Sequence, residues 1–244
     1  MHFTPLPDTK ARRRIYLMRH GEVCYTDDAG NPVADSVNVL LTAKGVQQAE
    51  RIAQDLSGIT FERVICTGFP RTLQTAQIVS GLPREKIDVE PDLREIKEGD
   101  VTAVPVEDRL GDIVYYMEDA AQPNKSFAGG DTFEEFSLRV LNRFDEISRS
   151  PNWTNLLLVA HGVVNRLILS YLVTGSKEGG LISLARFEQD SCCLNVVDLD
   201  YENGEINRSY LRLVNMTPYD PVKKATTLIS AEASYYQWLG PFNN

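Results

Sequence analysis

The sequence predicts an α/β fold, a three-layer sandwich in which a mostly parallel central sheet is flanked by helices. Three observations carry that expectation. Short apolar runs alternate with segments of helical periodicity, the pattern of strands joined by helical crossovers. One run, Leu156-Leu157-Leu158-Val159-Ala160, is unbroken, as suits a central strand covered on both faces. Several of the runs end at a basic residue or a glycine, where a strand gives way to a loop.

Taken in order, Ile15-Tyr16-Leu17-Met18 is the first strand and ends at Arg19-His20-Gly21. Glu22 to Val39 is rich in Asp, Gly, Asn and Pro, has no periodicity, and reads as an excursion over the surface that shapes an entrance. Thr42 suits the N-cap of a helix whose apolar residues Val46, Ala49, Ile52, Ala53 and Leu56 recur at helical spacing until Gly58. Phe61 to Cys66 is the second strand. The turn Thr67-Gly68-Phe69-Pro70 then delivers Arg71 into the first turn of a helix running through Ile78.

Ile87 to Glu90 reads as a third strand. From Leu93-Arg94-Glu95-Ile96 to Gly130 the chain is irregular and acidic, with a helical pattern only over Asp108 to Met117. Asp131 or Thr132 caps a helix carrying Phe133, Phe136, Val140 and Phe144 on one face, and Trp153 marks its exit loop. The central strand ends at His161-Gly162, and a helix follows over Val163 to Val173. Leu181 to Phe187, Cys192 to Leu199 and Tyr210 to Val214 read as edge strands, with Asn203-Gly204 as a hairpin turn. No repeat or linker divides the chain, so a single domain is expected over 1–244, with its core at 14–214 and a C-terminal extension at 217–244.

Composition sets the broad class. Of 244 residues, 43% are apolar and 24% charged, the balance of a soluble globular protein. A formal net charge of −9 argues against a nucleic-acid partner, which calls for a basic face. The run Arg12-Arg13-Arg14 reads as a solvated strand entrance. No stretch reaches the roughly 18 apolar residues needed to cross a bilayer, and no apolar run follows the N-terminal charges as in a secretory signal, so a cytoplasmic protein without membrane association is expected. Cys24, Cys66, Cys192 and Cys193 lack metal-ligand or C-x-x-C spacing and read as reduced thiols.

In a mostly parallel sheet, ligands bind beyond the carboxyl ends of the strands. Three such ends present Arg19-His20-Gly21, Arg71 and His161-Gly162. Two guanidiniums brought to one point repel each other and lose solvent, and an anion is what offsets both effects. A phosphate dianion fits that need. The arginines then supply the positive charge that a metal provides elsewhere, lying on the oxygens of a transferring phosphoryl group.

These motifs resemble, in order and over most of the chain, those of the histidine phosphatase superfamily, also called the phosphoglycerate-mutase-like family. Leu17-Met18-Arg19-His20-Gly21-Glu22 resembles its nucleophile signature, and Leu41-Thr42-Ala43-Lys44-Gly45-Val46-Gln47-Gln48-Ala49 resembles the start of its first helix. Arg71-Thr72-Leu73-Gln74-Thr75-Ala76 is similar to the helix of the second arginine, and Leu93-Arg94-Glu95 to the segment bearing the acid. Gly129-Gly130-Asp131-Thr132 resembles the glycine-pair cap, and Val159-Ala160-His161-Gly162 the second histidine.

The resemblance implies a phosphomonoesterase that needs no metal and no other cofactor and acts on a small phosphorylated substrate. His20 would be the nucleophile and form a phosphohistidine. Arg19, Arg71, His161, Thr26 and Gly162 would help bind the phosphoryl oxygens, and Glu95 would act as general acid and then base, which requires a raised pKa. Sequence alone does not separate Glu95 from Glu90, Asp92, Glu98 and Asp100; the match to Leu93-Arg94-Glu95 favours Glu95, with Glu98 next. Where the family often carries a hydroxyl residue, an aromatic and an asparagine, this chain has Val23, Tyr25 and Thr26. Two alternatives share the fold: a mutase that returns the phosphoryl group to a second substrate, and a pocket that binds phosphorylated ligands without turnover. Tyr25, Tyr115, Tyr116 and Phe127 are candidates to line an entrance, though ordinary packing accounts for them better.

Overall fold

A computed structural model of the chain describes residues 11–27, 33 and 35–239. Part of the expected Glu22 to Val39 excursion and the last residues of the C-terminal extension lie outside the described residues. Six strands form one sheet: β1 (Ala11–Arg19), β2 (Arg63–Cys66), β3 (Asp88–Val89), β4 (Asn155–Ala160), β5 (Leu194–Glu202) and β6 (Glu205–Met216). Their order is β3-β2-β4-β1-β5-β6. The first four run parallel, and β5 and β6 are added antiparallel.

Alternation along the strands explains the layers. Ile15 and Leu17 of β1, with Leu156, Leu158 and Ala160 of β4, pack against α3 (Phe133–Arg149) and α4 (Gly162–Thr174). Tyr16 and Met18, with Leu157 and Val159, face the other way onto α1 (Ala43–Asp55) and α2 (Pro70–Ser80). Helices on both faces of a mostly parallel sheet are the architecture predicted from sequence. The caps are local. Thr42 Oγ1 accepts a hydrogen bond from Gly45 N at 3.0 Å, and Thr132 Oγ1 accepts one from Glu135 N at 3.2 Å.

Register places the chemistry. Met18 and Cys66 both pair with Val159, so β1, β2 and β4 end level with one another. The chain moves outward from β1 to β2 and β3 and then returns to β4, so the order reverses beside β1. The ends of β1, β2 and β4 therefore meet in the crevice where open α/β sheets bind ligands.

Several expectations are corrected. Leu181 to Phe187 is not a strand. Ser176 Oγ accepts from Gly179 N at 3.0 Å and caps α5 (Lys177–Ile182), and a 3-10 turn follows at Leu184–Arg186. Strand β5 lies inside the sheet between β1 and β6, and Cys192 and Cys193 precede it; Cys192 sits in a turn at φ 57°. The third strand shrinks to two residues, and Asp108 to Met117 forms only a 3-10 turn and a π-helical turn at Leu110–Val114. Arg12 and Arg14 are not merely solvated, since they lie within β1 and pair with the buried Asp200 and Asp198 of β5 at 2.5 and 2.6 Å. The C-terminal extension carries a helix, α6 (Ser230–Leu239), that the sequence reading leaves unassigned. Asn203 and Gly204 form the hairpin turn as read, at φ 54° and 90°.

Candidate active site

Arg19, His20, Arg71, Glu95, His161 and Gly162 all line one cavity of about 290 Å³ at the carboxyl edge of the sheet. Arg19 is the last residue of β1 and His20 the first after it. His161 follows β4 and precedes α4, and Arg71 stands at the start of α2 behind Pro70. Gly162 lies against both side chains: a Cβ there would make ordinary contact with Arg19 Nε at 3.6 Å and Glu95 Oε2 at 3.8 Å.

His20 is buried, and its Nδ1 lies 2.8 Å from the carbonyl oxygen of Gly21. A carbonyl only accepts, so Nδ1 carries the hydrogen and Nε2 keeps a free lone pair in the neutral ring. Burial, then the positive charges of Arg71 and Arg19, hold the His20 pKa well below its ordinary value. The ring is therefore neutral and nucleophilic at neutral pH. His161 packs edge-on to it with ring centroids 5.4 Å apart, and burial together with His20, Arg71 and Arg19 lowers its pKa in the same way.

The two guanidiniums are anchored from behind. Arg19 Nη1 donates to Gln189 O at 2.7 Å, and Arg71 Nη1 donates to Ser36 O at 3.2 Å and to Val37 O at 3.0 Å. Arg71 also lies over the Phe69 ring, 4.7 Å from its centroid. Arg19 Nε, Arg71 Nε and His161 Nδ1 are buried polar atoms with no protein partner. Such groups are costly inside a protein, and two cationic side chains lining one cavity have a natural complement in an anion.

Glu95 lines the same cavity and is held by two backbone amides. Its Oε2 accepts from Val163 N at 3.0 Å, at the start of α4, and its Oε1 accepts from Ile96 N at 3.1 Å. Burial nevertheless raises its pKa above the usual carboxylate value. The neighbouring carboxylates do other things. Glu90 is held by Arg63 and Arg143, Asp92 is exposed, and Asp100 accepts from Thr102; Glu98 alone among them also lines the cavity.

Thr26 stands apart from the other expected site residues. It does not line the cavity, and its hydroxyl lies 3.3 Å from Cys24 Sγ instead. Val23 is buried and pairs with Leu41 in an isolated bridge, a backbone role that needs no hydroxyl. Of the aromatic candidates, Tyr25, Tyr116 and Phe127 line the cavity, whereas Tyr115 is exposed.

Sequence reasoning missed Thr67, whose Oγ1 lies 2.8 Å from His161 Nε2, and the buried amides behind Arg19. There Gln189 Nε2 donates to Asn195 Oδ1 at 3.0 Å and Asn195 Nδ2 donates to Leu17 O at 3.0 Å. Asn195 occupies a strand position among apolar neighbours. A polar residue in such a run was the available signal. Among the described residues, no cluster of three His, Cys, Asp or Glu side chains is arranged to hold a metal ion, and no helix is long and apolar enough to cross a membrane.

The family model described as histidine phosphatase superfamily (branch 1) matches residues 15–211, which span every element from β1 into β6. The chain belongs to the histidine phosphatase superfamily. Among curated relatives it is 25% identical over 202 residues to the adenosylcobalamin/alpha-ribazole phosphatase of Escherichia coli (strain K12), covering 77% of this chain and 90% of that one. It is 29% identical over 168 residues to a protein of Enterobacter sp. (strain 638) named "Probable phosphoglycerate mutase GpmB", covering 66% and 74% of the two chains. Among solved structures it resembles the alpha-ribazole phosphatase from Shigella flexneri, with a TM-score of 0.63 at 25% identity over 83% of this chain and 96% of that one.

In this member of the superfamily, the glycine and the glutamines of the motifs meet in one place. Gly21 N donates to Thr75 Oγ1 at 3.0 Å, Glu22 N to Gln48 Oε1 at 2.9 Å and Leu41 N to Gln74 Oε1 at 2.9 Å. Helices α1 and α2 thus clamp the loop that carries His20.

Proposed function

We propose that this superfamily member is a metal-independent phosphomonoesterase that works through a phosphohistidine on His20. The observation that carries the reading is the set of buried, unpartnered donors Arg19 Nε and Arg71 Nε, with His161 Nδ1, around a histidine whose Nε2 lone pair is free. A phosphate monoester dianion satisfies the donors and brings its phosphorus to that lone pair.

His20 Nε2 attacks phosphorus in line, forming the N–P bond as the bond to the ester oxygen breaks. Glu95, protonated, gives its proton to the departing alkoxide. Water then attacks the phosphohistidine from the side the alcohol has left, Glu95 takes a proton from it, and inorganic phosphate leaves as His20 is restored. Arg19, Arg71 and His161 hold the equatorial oxygens through both steps, supplying fixed charge where the transition state needs it. Beyond these groups the cavity is lined mainly by apolar side chains, with Glu98, an exposed Lys97 and Arg166, whose charge is paired with Glu188. That favours water over a mutase reaction, whose doubly phosphorylated intermediate needs a second cluster of cations. The site is proposed for a small phosphorylated substrate, in a cytoplasmic protein.

The test is hydrolysis of p-nitrophenyl phosphate in excess chelator, with a His20→Ala variant in parallel. Turnover that survives chelation and vanishes in the variant is the expected result. Turnover that requires a divalent cation, or that persists in the variant, rules the mechanism out.

A further inference from the structure

Two lobes open from the phosphate cradle, and they differ in chemistry. One, of about 270 Å³, meets the cradle at Arg19, His20 and Tyr25 and is mixed, with Glu22, Asp190 and Thr226 beside Val23, Leu228 and Ala233. The other is the remainder of the main cavity, walled by Ile113, Tyr116, Met117, Phe127, Val163 and Ala231. All six of these side chains are buried. Tyr116 and Phe127 stack with centroids 4.0 Å apart, and Tyr235 of α6 packs on Ile113 and Val114, so the wall is held from two sides.

Glu95 decides which lobe takes the ester's alcohol. It lines the main cavity, from which the apolar lobe opens, and not the second lobe. A group that protonates the leaving oxygen must lie beside that oxygen, so the alcohol extends into the apolar lobe. The lobe's one buried cation is already engaged. Arg166 Nη2 donates to Glu188 Oε1 at 2.6 Å and to Ser230 Oγ at 3.0 Å, which ties α4 to the start of α6. Glu98 adds negative charge to the lining, and Lys97 is exposed at the rim, where water screens it. A small alcohol bearing a carboxylate would bury its charge against apolar walls with no free cation.

Resting on the phosphomonoesterase reading, we infer that the substrate is a phosphate ester of a bulky apolar or aromatic alcohol, seated between the Tyr116–Phe127 stack and Ala231, and not a phosphorylated small acid. The lobe gives the alcohol a dry, pre-formed surface, which is the usual basis of small-molecule selectivity.

Calorimetric titration with non-cleavable phosphonates tests this apart from catalysis. The full chain is titrated with 1-naphthylmethylphosphonate, 3-phosphonopropionate and inorganic phosphate. The naphthyl compound is expected to bind on the order of 30-fold or more tighter than the carboxylate compound, the range that filling an apolar pocket supplies. In Met117→Gln and Ala231→Asp, that ratio should fall at least about tenfold, with inorganic phosphate titrated alongside to report the cradle. Equal or tighter binding of 3-phosphonopropionate by the unaltered chain overturns the inference. Hydrolysis of 1-naphthyl phosphate is followed in parallel; naphthyl preference in binding without any turnover overturns the hydrolase reading and leaves standing only the preference of the lobe for a bulky apolar group.

Discussion

Thr67 Oγ1 lies 2.8 Å from His161 Nε2, and the same oxygen lies 3.1 Å from Thr72 Oγ1. Thr72 in turn donates to Phe69 O at 2.8 Å. In the neutral ring Thr67 donates to His161 Nε2, which leaves the hydrogen on Nδ1, the atom proposed to donate to a phosphoryl oxygen. The relay runs from the turn that opens α2 to the histidine at the end of β4. It fixes the ring so that Nδ1 points into the cavity.

Removing the relay should therefore impair phosphoryl transfer without touching the nucleophile. Thr67→Val keeps the shape and deletes the hydroxyl. A drop of about 10- to 100-fold in kcat/KM is expected, the size of effect that a small misplacement of a binding group produces. Thr67→Ser should recover most of the activity and the pH profile. Equal loss in both variants would mean that Thr67 serves packing alone.

Glu95→Gln separates the two chemical steps. An alkyl phosphate has a poor leaving group and needs the proton, so its kcat should fall about 10²- to 10⁴-fold. p-Nitrophenolate leaves without help, so phosphorylation of His20 should persist while hydrolysis of the phosphohistidine slows. The signature is a rapid burst of p-nitrophenolate, stoichiometric with protein, followed by slow turnover. A Glu95→Gln variant that hydrolyses both esters at the unaltered rate would shift the role to Glu98, the other carboxylate on the cavity wall.

What the sequence made legible was whatever had a local cause. Thr42 and Thr132 cap helices with their own hydroxyls, Pro70 starts α2, and the run from Leu156 to Ala160 has nowhere to go but the sheet's centre. Those same elements bring Arg19, His20, Arg71, His161 and Gly162 to one cavity, because each lies one or two residues from a strand end or helix start. Thr26 failed because a residue in an aperiodic loop has no register to place it. Leu181 to Phe187 failed because its apolar residues fit a strand as well as a helix, and the deciding signal was the Ser176 cap outside the run. Helix α6 was illegible for a different reason: its buried Tyr235 docks on a π-helical turn that is itself irregular.

Stability should fall on the acid side because of the same two histidines. Burial holds His20 and His161 well below the ordinary value of 6.5. Below pH 6.5 the unfolded chain takes up protons that the folded chain refuses. Their contribution is therefore complete above 6.5 and is lost as the pH falls toward the folded values, with a slope of up to about 1.4 kcal/mol per pH unit for each. Glu95 acts in the opposite sense, since its raised pKa favours the folded state below the ordinary 4.5 and weakens it as the pH rises through the folded value. Urea denaturation from pH 8 to pH 5 on the unaltered chain and on a His20→Asn, His161→Asn double variant checks this. The double variant should lose less stability over that range, and parallel curves would sink the idea.

Gly45 is the position where fold and site are most tightly joined. It sits in the first turn of α1, and a Cβ there would overlap the carbonyl oxygen of Glu22, while a Cβ on Gly21 would stand 2.6 Å from Gly45 O. Neither glycine has a left-handed φ, so what excludes a side chain is the close approach of two backbones. Thr42 N donates to Glu22 O at 2.9 Å across the same contact. Gly45→Ala must push α1 away from the loop that carries His20. An overpacking cost of about 1–3 kcal/mol is expected, which lowers Tm by about 2–4 °C per kcal/mol in a chain of this size. Because the displaced loop holds His20, the proposed nucleophile, kcat/KM should fall by roughly 10²-fold as well. Gly111, which has open space where its Cβ would go, is the control, and Gly111→Ala should change stability by no more than about 0.5 kcal/mol. A Gly45→Ala variant with unaltered Tm and unaltered kcat/KM would show that α1 and the His20 loop are not coupled through this contact.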